Sequence, residues 1–373
     1  MKAYILISAC LLMTACASRN DKVTLQEFET MLSEEFKSDQ PGGSVLVKKG
    51  DSIVFLKSYG LADLETKEKI TENTLFNLGS VSKTFVSNGI LILNEQGKLS
   101  LDDSLSQYFD DFKNNDIAGK VRIKHLLSHT SGLPDIRNVS DNYDFFLSAK
   151  DEENFAPIKL ADSLNFEPGE KFEYSNPAFN GLALIIEKVT GQPWQKFVSD
   201  SILAPAGMMA SKITDGPYPE AGVAHAYSLI NGEYAEDDYG EYPTFAAAGN
   251  GGVWSSVMEL AAYERAMEQN TFLGKKLTDD SRRIFQPANR TDSINPFIGY
   301  SWFIGEERFL DEENSFGVRF IYHLGDQGGF RAFYIAIPEK DILYVGLFNR
   351  PPEDLNKIIK KGIFAISKNT WFE

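Results

Sequence analysis

Apolar residues recur at helical spacing at Leu25, Phe28, Leu32 and Phe36, which predicts a helix over Asp21 to Lys37 with one buried face. The pattern then changes. Ser44 to Lys48 and Ser52 to Tyr59 read as strands around the turn Lys49-Gly50-Asp51, hence a hairpin. Residues 81–96 return to helical spacing through Val81, Phe85 and Leu93, and Gly97 marks the stop. The stretch to about residue 270 is mainly helical pattern and loop. Within it a helix opens at Asn176-Pro177 and runs to Gly191, with Leu182, Ile185, Ile186 and Val189 inward. Asn176 suits the cap and Pro177 the first turn. Ser256 and Glu259 predict a capping box for a later helix. Phe330 to Ile337 and Ile342 to Phe348 flank Pro338-Glu339-Lys340-Asp341, a second hairpin. A last helix is expected from Glu353 to Ile366.

Strands therefore gather at both ends of the chain and helices in the middle. The economical fold is α+β: one antiparallel sheet built from both chain ends, flanked by helices as an α/β sandwich, with an inserted, mainly helical lobe. The expected boundaries are 24–366 for the whole domain. Its sheet-bearing lobe takes 24–95 and 255–366, and its helical lobe takes 96–254.

The first residues are read differently. Lys2 is followed by an apolar run from Ala3 to Met13, short for a membrane span, and then by Thr14-Ala15-Cys16. This layout predicts a secretory signal over residues 1–15, a tether over 16–23, and a lipoprotein-type Cys16 that carries lipid and holds the protein to a membrane. The other reading is an ordinary signal peptide cut nearby. Cys10 and Cys16 are the only cysteines, so no cysteine pair or cluster remains in the mature part for a disulfide or a zinc site. The formal net charge of −16 argues against nucleic acid, whose phosphates need a basic face.

Chemistry concentrates in three short motifs. Gly79-Ser80-Val81-Ser82-Lys83 places a lysine three residues after a serine at a helix start, so the two side chains are neighbours. Serine needs a base to act as a nucleophile. Lysine ordinarily titrates near about 10.4, so it serves as that base only where burial or nearby positive charge lowers its pKa. Tyr174-Ser175-Asn176 puts a phenol just before a helix, where it can relay a proton. Taken alone, Asn176 is equally a helix cap and Tyr174 packing. His323-Leu324-Gly325 ends an apolar run, and a strand edge beside glycine can offer backbone N–H groups to an oxyanion.

The order S-x-x-K, Y-x-N, H-x-G resembles the serine β-lactamase and penicillin-binding superfamily, and its class C branch most, because the class A branch has S-D-N where this chain has Tyr174-Ser175-Asn176. Leu126-Leu127-Ser128-His129-Thr130-Ser131-Gly132-Leu133-Pro134 and Gly249-Asn250-Gly251-Gly252 resemble further signatures of that family. The resemblance covers roughly residues 24–366 and implies a β-lactamase/transpeptidase-like fold. It implies that Ser80 forms an acyl-enzyme, with Lys83 and Tyr174 sharing general-base and general-acid duty. It further implies that Asn176 binds substrate, that His323 and Gly325 shape the third motif, and that the backbone N–H groups of Ser80 and Asp326 form the oxyanion hole.

The implied substrate is a small ester or amide, or a peptide derived from peptidoglycan. No cofactor and no metal are implied. Where β-lactamases of this family carry Lys-Thr-Gly, this chain has His323-Leu324-Gly325. A largely neutral histidine and a leucine weaken any site for a substrate carboxylate. Ester or amide hydrolysis is therefore expected ahead of β-lactam hydrolysis. The alternatives are a D,D-carboxypeptidase and a non-catalytic module that binds wall fragments.

Other motifs fail on particular residues. His125 and His129 are four apart, but Leu126 stands where a zinc protease helix needs glutamate. Trp254 stands where a dinucleotide loop needs its last glycine. Tyr242 and Trp302 are candidates for lining the cleft.

Overall fold

The structure is a computed structural model, and it describes residues 25–237, 246–283, 297–310 and 315–367. The expected signal sequence and tether, with Cys16, and the candidate Tyr242 lie outside the described residues.

A seven-stranded antiparallel sheet forms the centre. From one edge to the other its strands are Ser52–Tyr59, Gly43–Lys49, Ile342–Phe348, Phe330–Ile337, Ser315–Gln327, Phe303–Leu310 and Phe297–Ile298. The two ends of the chain meet inside it, with Val45 opposite Gly346 and Leu46 opposite Val345. Both expected hairpins are present, and the second matches its expected bounds, closed by Asp341 in a left-handed conformation at φ 53°.

Alternation along the strands sends side chains to opposite faces. Val45 and Val47, Phe333, Ile335 and Ile337 pack under the first and last helices, Leu25–Glu35 and Leu355–Ser367. The intervening Leu46, Ala332, Tyr334 and Ala336 face the other way, where the helix Val257–Glu268 packs and Tyr263 meets Tyr334. The central strands Gly43–Lys49, Ile342–Phe348 and Phe330–Ile337 are therefore buried on both faces, which is why they read as nearly continuous apolar runs.

Behind the inner face runs the helix Lys83–Glu95, buried at every position from Lys83 to Leu93. The helix Asn176–Thr190 packs beside it through Leu182, Ile185 and Ile186. Its N-cap differs from expectation. Ser175, not Asn176, accepts the Ala178 N–H, so Asn176 and Pro177 are the first two helical residues and the Asn176 amide is not used as a cap. The Ser256/Glu259 box is half formed. Ser256 Oγ accepts the Glu259 N–H at 3.2 Å, but the Glu259 carboxylate instead receives the N–H groups of Ala210 and Ser211.

The middle region is less helical than its pattern predicts. A three-stranded sheet joins Phe76–Asn77, Val253–Ser255 and Lys212–Ile213, and a small hairpin joins Tyr227–Ile230 to Glu233–Glu236. Strands of two to four residues are too short to show a period of two. Trp302 is another correction. It is fully buried, stacked beside Tyr334 and under the Arg282 guanidinium, so it belongs to the core and not to a cleft.

Candidate active site

Ser80 lies in a single 3-10 turn, Gly79–Ser82, that feeds directly into the Lys83–Glu95 helix. The sequence pattern places Ser80 at the start of a helix. The tighter turn aligns residues three apart more closely than an α-helix does. Lys83 Nζ stands 2.9 Å from Ser80 Oγ. The turn needs glycine at 79, where φ is +49° and a Cβ would come within 2.7 Å of the Asp326 backbone nitrogen.

That close approach joins the first motif to the third. The Ser315–Gln327 strand pairs with Phe303–Leu310 only along Ser315–Tyr322 and with Phe330–Ile337 along Ile321–Gln327. The free edge of its last residues meets the Ser80 turn. Gly325 sits against Leu78, where a Cβ would fall 2.0 Å from the carbonyl oxygen. Any side chain at 325 would push the strand away from the Ser80 turn. Asp326 turns its carboxylate outward to Arg331, at 2.8 Å, and presents its backbone to Gly79.

Lys83 is the chemical centre. Its side chain is fully buried, and burial first, then the nearby Arg137 guanidinium, hold its pKa well below the usual lysine value. Arg137 is fixed there by a two-pronged pair with Asp135 at 2.6 and 2.8 Å and by Asn154 at 2.6 Å. Lys83 Nζ also donates to the Asn250 carbonyl at 2.8 Å. With one N–H so directed, a neutral amine can turn its lone pair to the Ser80 hydroxyl. Tyr174 closes the other side, its ring centre 5.3 Å from Lys83 Nζ. The three side chains drawn from residues 80, 83 and 174 are thus together. Asn176 follows Tyr174 on the first turn of its helix and is half-buried.

His129 is a member of this site that sequence reasoning placed only within a signature. Its ring stacks on Tyr174 at 4.3 Å, its Nδ1 accepts the Ser175 N–H at 3.0 Å, and its carbonyl accepts the Glu173 N–H at 2.9 Å. The Tyr174 segment is strapped to His129 by all three. The strap needs His129 at φ +55°, a strained conformation for a residue with a side chain. It therefore stands outside the Ile123–Leu127 helix and shares no helix face with His125, which instead accepts the Arg122 N–H at that helix start.

His323 is 1% exposed, and burial, reinforced by Lys83, holds its pKa down to about 3. Its Nδ1 faces the Leu324 carbonyl at 2.7 Å. A carbonyl only accepts, so the proton is on Nδ1 and Nε2 is left as an acceptor. The third motif therefore offers a neutral ring and no cation. Phe303 lies between the motifs, edge-on to His323 at 5.4 Å and stacked with Tyr174 at 6.4 Å.

A half-buried serine hydroxyl against a fully buried lysine, flanked by a tyrosine and a strand edge, is an arrangement suited to a serine nucleophile. The chain as a whole agrees. Residues 26–364 match the family model described as Beta-lactamase. The chain is 28% identical over 290 residues to a penicillin-binding protein of Bacillus subtilis, covering 74% of this chain and 62% of that one. It thus spans somewhat less than two-thirds of that relative's length. Among solved structures, an octameric penicillin-binding protein homologue from Pyrococcus abyssi superposes with TM-score 0.77 at 24% identity, over 93% of this chain and 78% of that one. A D-amino acid amidase from Ochrobactrum anthropi SV3 superposes with TM-score 0.73 at 20% identity, over 92% and 99%. This chain belongs to the beta-lactamase family.

Proposed function

We propose that the protein is a serine hydrolase that cleaves an ester or amide through an acyl-Ser80 intermediate. The carrying observation is the buried Lys83 amine, its pKa lowered, 2.9 Å from the Ser80 hydroxyl. Neutral Lys83 takes the hydroxyl proton as Ser80 Oγ bonds to the substrate carbonyl carbon. The backbone N–H groups of Ser80 and Asp326 receive the developing oxyanion. Tyr174 and Lys83 return the proton to the leaving nitrogen or oxygen as its bond to the acyl carbon breaks. Water then attacks the acyl-enzyme and restores Ser80. Asn176 holds the substrate's polar side. The class C-like arrangement supports these roles.

The third motif selects the substrate class. His323 is neutral across the physiological range, so a carboxylate beside the scissile bond gains no ion pair there. This favours esters and amides without that carboxylate over penicillins and D-Ala-D-Ala ends. The relatives named as penicillin-binding keep a D,D-peptidase as the second reading. The apolar run before Cys16 further supports export and lipid attachment at that cysteine. Palmitate labelling in cells, lost in Cys16→Ala, tests that part.

A panel of p-nitrophenyl esters, D-amino acid amides, D-Ala-D-Ala peptides and nitrocefin, run with wild type and Ser80→Ala, tests the activity. Ester or amide turnover that Ser80→Ala abolishes is the expected result. Turnover of nitrocefin or D-Ala-D-Ala ahead of esters and amides would overturn the reading of His323. A single burst without turnover would leave only a binding module.

A further inference from the structure

Asp151 is a buried carboxylate some way along the chain from every motif, and the chemistry above makes no use of it. Its oxygens receive three N–H groups. Oδ1 accepts Asn180 Nδ2 at 2.6 Å and the Gly249 backbone N–H at 2.8 Å, and Oδ2 accepts Trp194 Nε1 at 2.8 Å. Both Oδ1 partners lead to the same place. Gly249 precedes Asn250 in the short helix Ala248–Gly251, and Asn180 Oδ1 accepts Asn250 Nδ2 at 3.0 Å. The Asn250 carbonyl then accepts Lys83 Nζ at 2.8 Å. Asp151 thus grips residue 250 twice, once through the backbone and once through its side chain. Glycine at 249 is what lets the backbone approach, since a Cβ there would stand 2.9 Å from the Ala183 Cβ and 3.0 Å from Asp151 Oδ1.

We propose that Asp151 is a positioning residue: through Asn180 and Gly249 it fixes the Asn250 carbonyl, and this carbonyl sets the orientation in which Lys83 meets the Ser80 hydroxyl. The proposal rests on the reading of Lys83 as the base for acyl transfer. A lysine amine rotates freely about its terminal bond, and one fixed acceptor removes that freedom. A misdirected amine still lies near Ser80 but holds its lone pair elsewhere, which lowers the rate of proton transfer without weakening substrate binding. An ammonium loses more than an amine when its acceptor withdraws, so loosening the grip also lowers the Lys83 pKa further. The charged and titratable groups around the pair are Arg137, His129, His323 and Tyr174 on the Lys83 side and Glu187 on the Asp151 side. All five stay in place in the variants below.

Asn180→Ala, Asn250→Ala and Asp151→Asn are compared with wild type on p-nitrophenyl acetate, reading kcat, KM, the pH dependence of kcat and Tm. Asn180→Ala and Asn250→Ala each cut one arm while leaving the Gly249 arm and the carbonyl in place. Each is expected to lower kcat about three- to tenfold with KM within about twofold, and the double variant to lower it by less than the product of the two. Asp151→Asn, which turns an N–H toward one of the three donors, is expected to lower kcat about ten- to a hundredfold. The acid limb of the kcat profile moves to lower pH in all. A merely structural Asp151 lowers Tm and leaves kcat of the folded fraction and its acid limb where they were, and that result overturns the proposal. A rise in KM at constant kcat does the same. Ser80→Ala that still turns over in this assay sinks the reading of the nucleophile and the grip with it. Loss of turnover in Ser80→Ala with wild-type kcat in the other variants sinks the grip alone.

Discussion

The outer face of the central sheet and the seam beside the Ser80 turn on its inner side are built to opposite rules. On the outer face, Phe28 and Leu32 from the first helix, Phe36 just after it, and Ile359, Ile363 and Ile366 from the last bury apolar side chains against apolar strands. At the inner seam, where the Ser315–Gln327 strand meets the Ser80 turn, Lys83, His129 and His323 are buried with their titratable groups, and Asp151 is buried behind Asn250. The outer face gains stability from every residue it hides. The inner seam gives some up, because burying an ionisable group disfavours its charged form. What it obtains is an amine that gives up its proton more readily, 2.9 Å from a hydroxyl. The difference teaches that stability and reactivity are divided across one sheet, and substitutions on the two faces should move different observables.

The largest separation is expected at the nucleophile. Ser80→Ala and Lys83→Met should each lower kcat/KM by roughly a thousandfold or more. Lys83→Met should leave Tm equal or raise it, because an apolar chain replaces a buried amine. A clear drop in Tm, read by calorimetry, would show that Lys83 is held for packing. The mirror experiment is Phe36→Ala. That ring stacks on Phe348 at 5.0 Å and is fully enclosed, so its removal should cost about 3–5 kcal/mol in denaturant melts while kcat/KM of the folded protein stays within about twofold.

How far these faces were legible in the sequence follows the same division. The outer face could be read because its signals are local. The Phe330–Ile337 and Ile342–Phe348 strands are long, nearly continuous apolar runs around an obvious turn, and the terminal helices carry clean stripes. Ser80 and Lys83 could be read for the same reason, since three residues of chain set their distance. The His129 strap could not. It links residue 129 to residues 173–175 through a left-handed backbone that no spacing rule announces. The grip of Asp151 on Asn250 depends on three separate stretches of chain. The short strands at 76–77, 212–213 and 253–255 are likewise fixed by their partners, not by their own pattern. Serine and asparagine cap equally well and the chain offers both in succession, so the pattern alone does not single out Ser175 over Asn176 as the cap.

A smaller effect tests that strap. His129→Phe keeps a ring against Tyr174 but removes the acceptor for the Ser175 N–H. A ten- to hundredfold fall in kcat is expected, on the order of what about 1 Å of misplacement costs. Steady-state kinetics with KM unchanged would support the strap, and wild-type kcat would break it.

The smallest effect is on pH and stability. His323 is held down to about 3 in the fold, whereas an unfolded histidine titrates near about 6.5. The unfolded chain therefore binds the extra proton between those values, so stability falls as pH drops through that window. Asp151, pushed up to about 6 by burial, acts in the opposite sense between the ordinary carboxylate range and its own value. His323→Gln should therefore flatten the acid side of a Tm-against-pH curve relative to wild type. An unchanged slope would mean that His323 is not buried neutral.

The central claim is that the hydroxyl at position 80 is the atom that becomes acylated because Lys83 deprotonates it. Rapid-quench intact-mass spectrometry with p-nitrophenyl acetate, followed by peptide mapping, tests it directly. The account predicts an acetyl adduct on Ser80 that forms faster as pH rises through the lowered Lys83 pKa and is absent in Ser80→Ala. An adduct on another residue, or one that persists in Ser80→Ala, would contradict it.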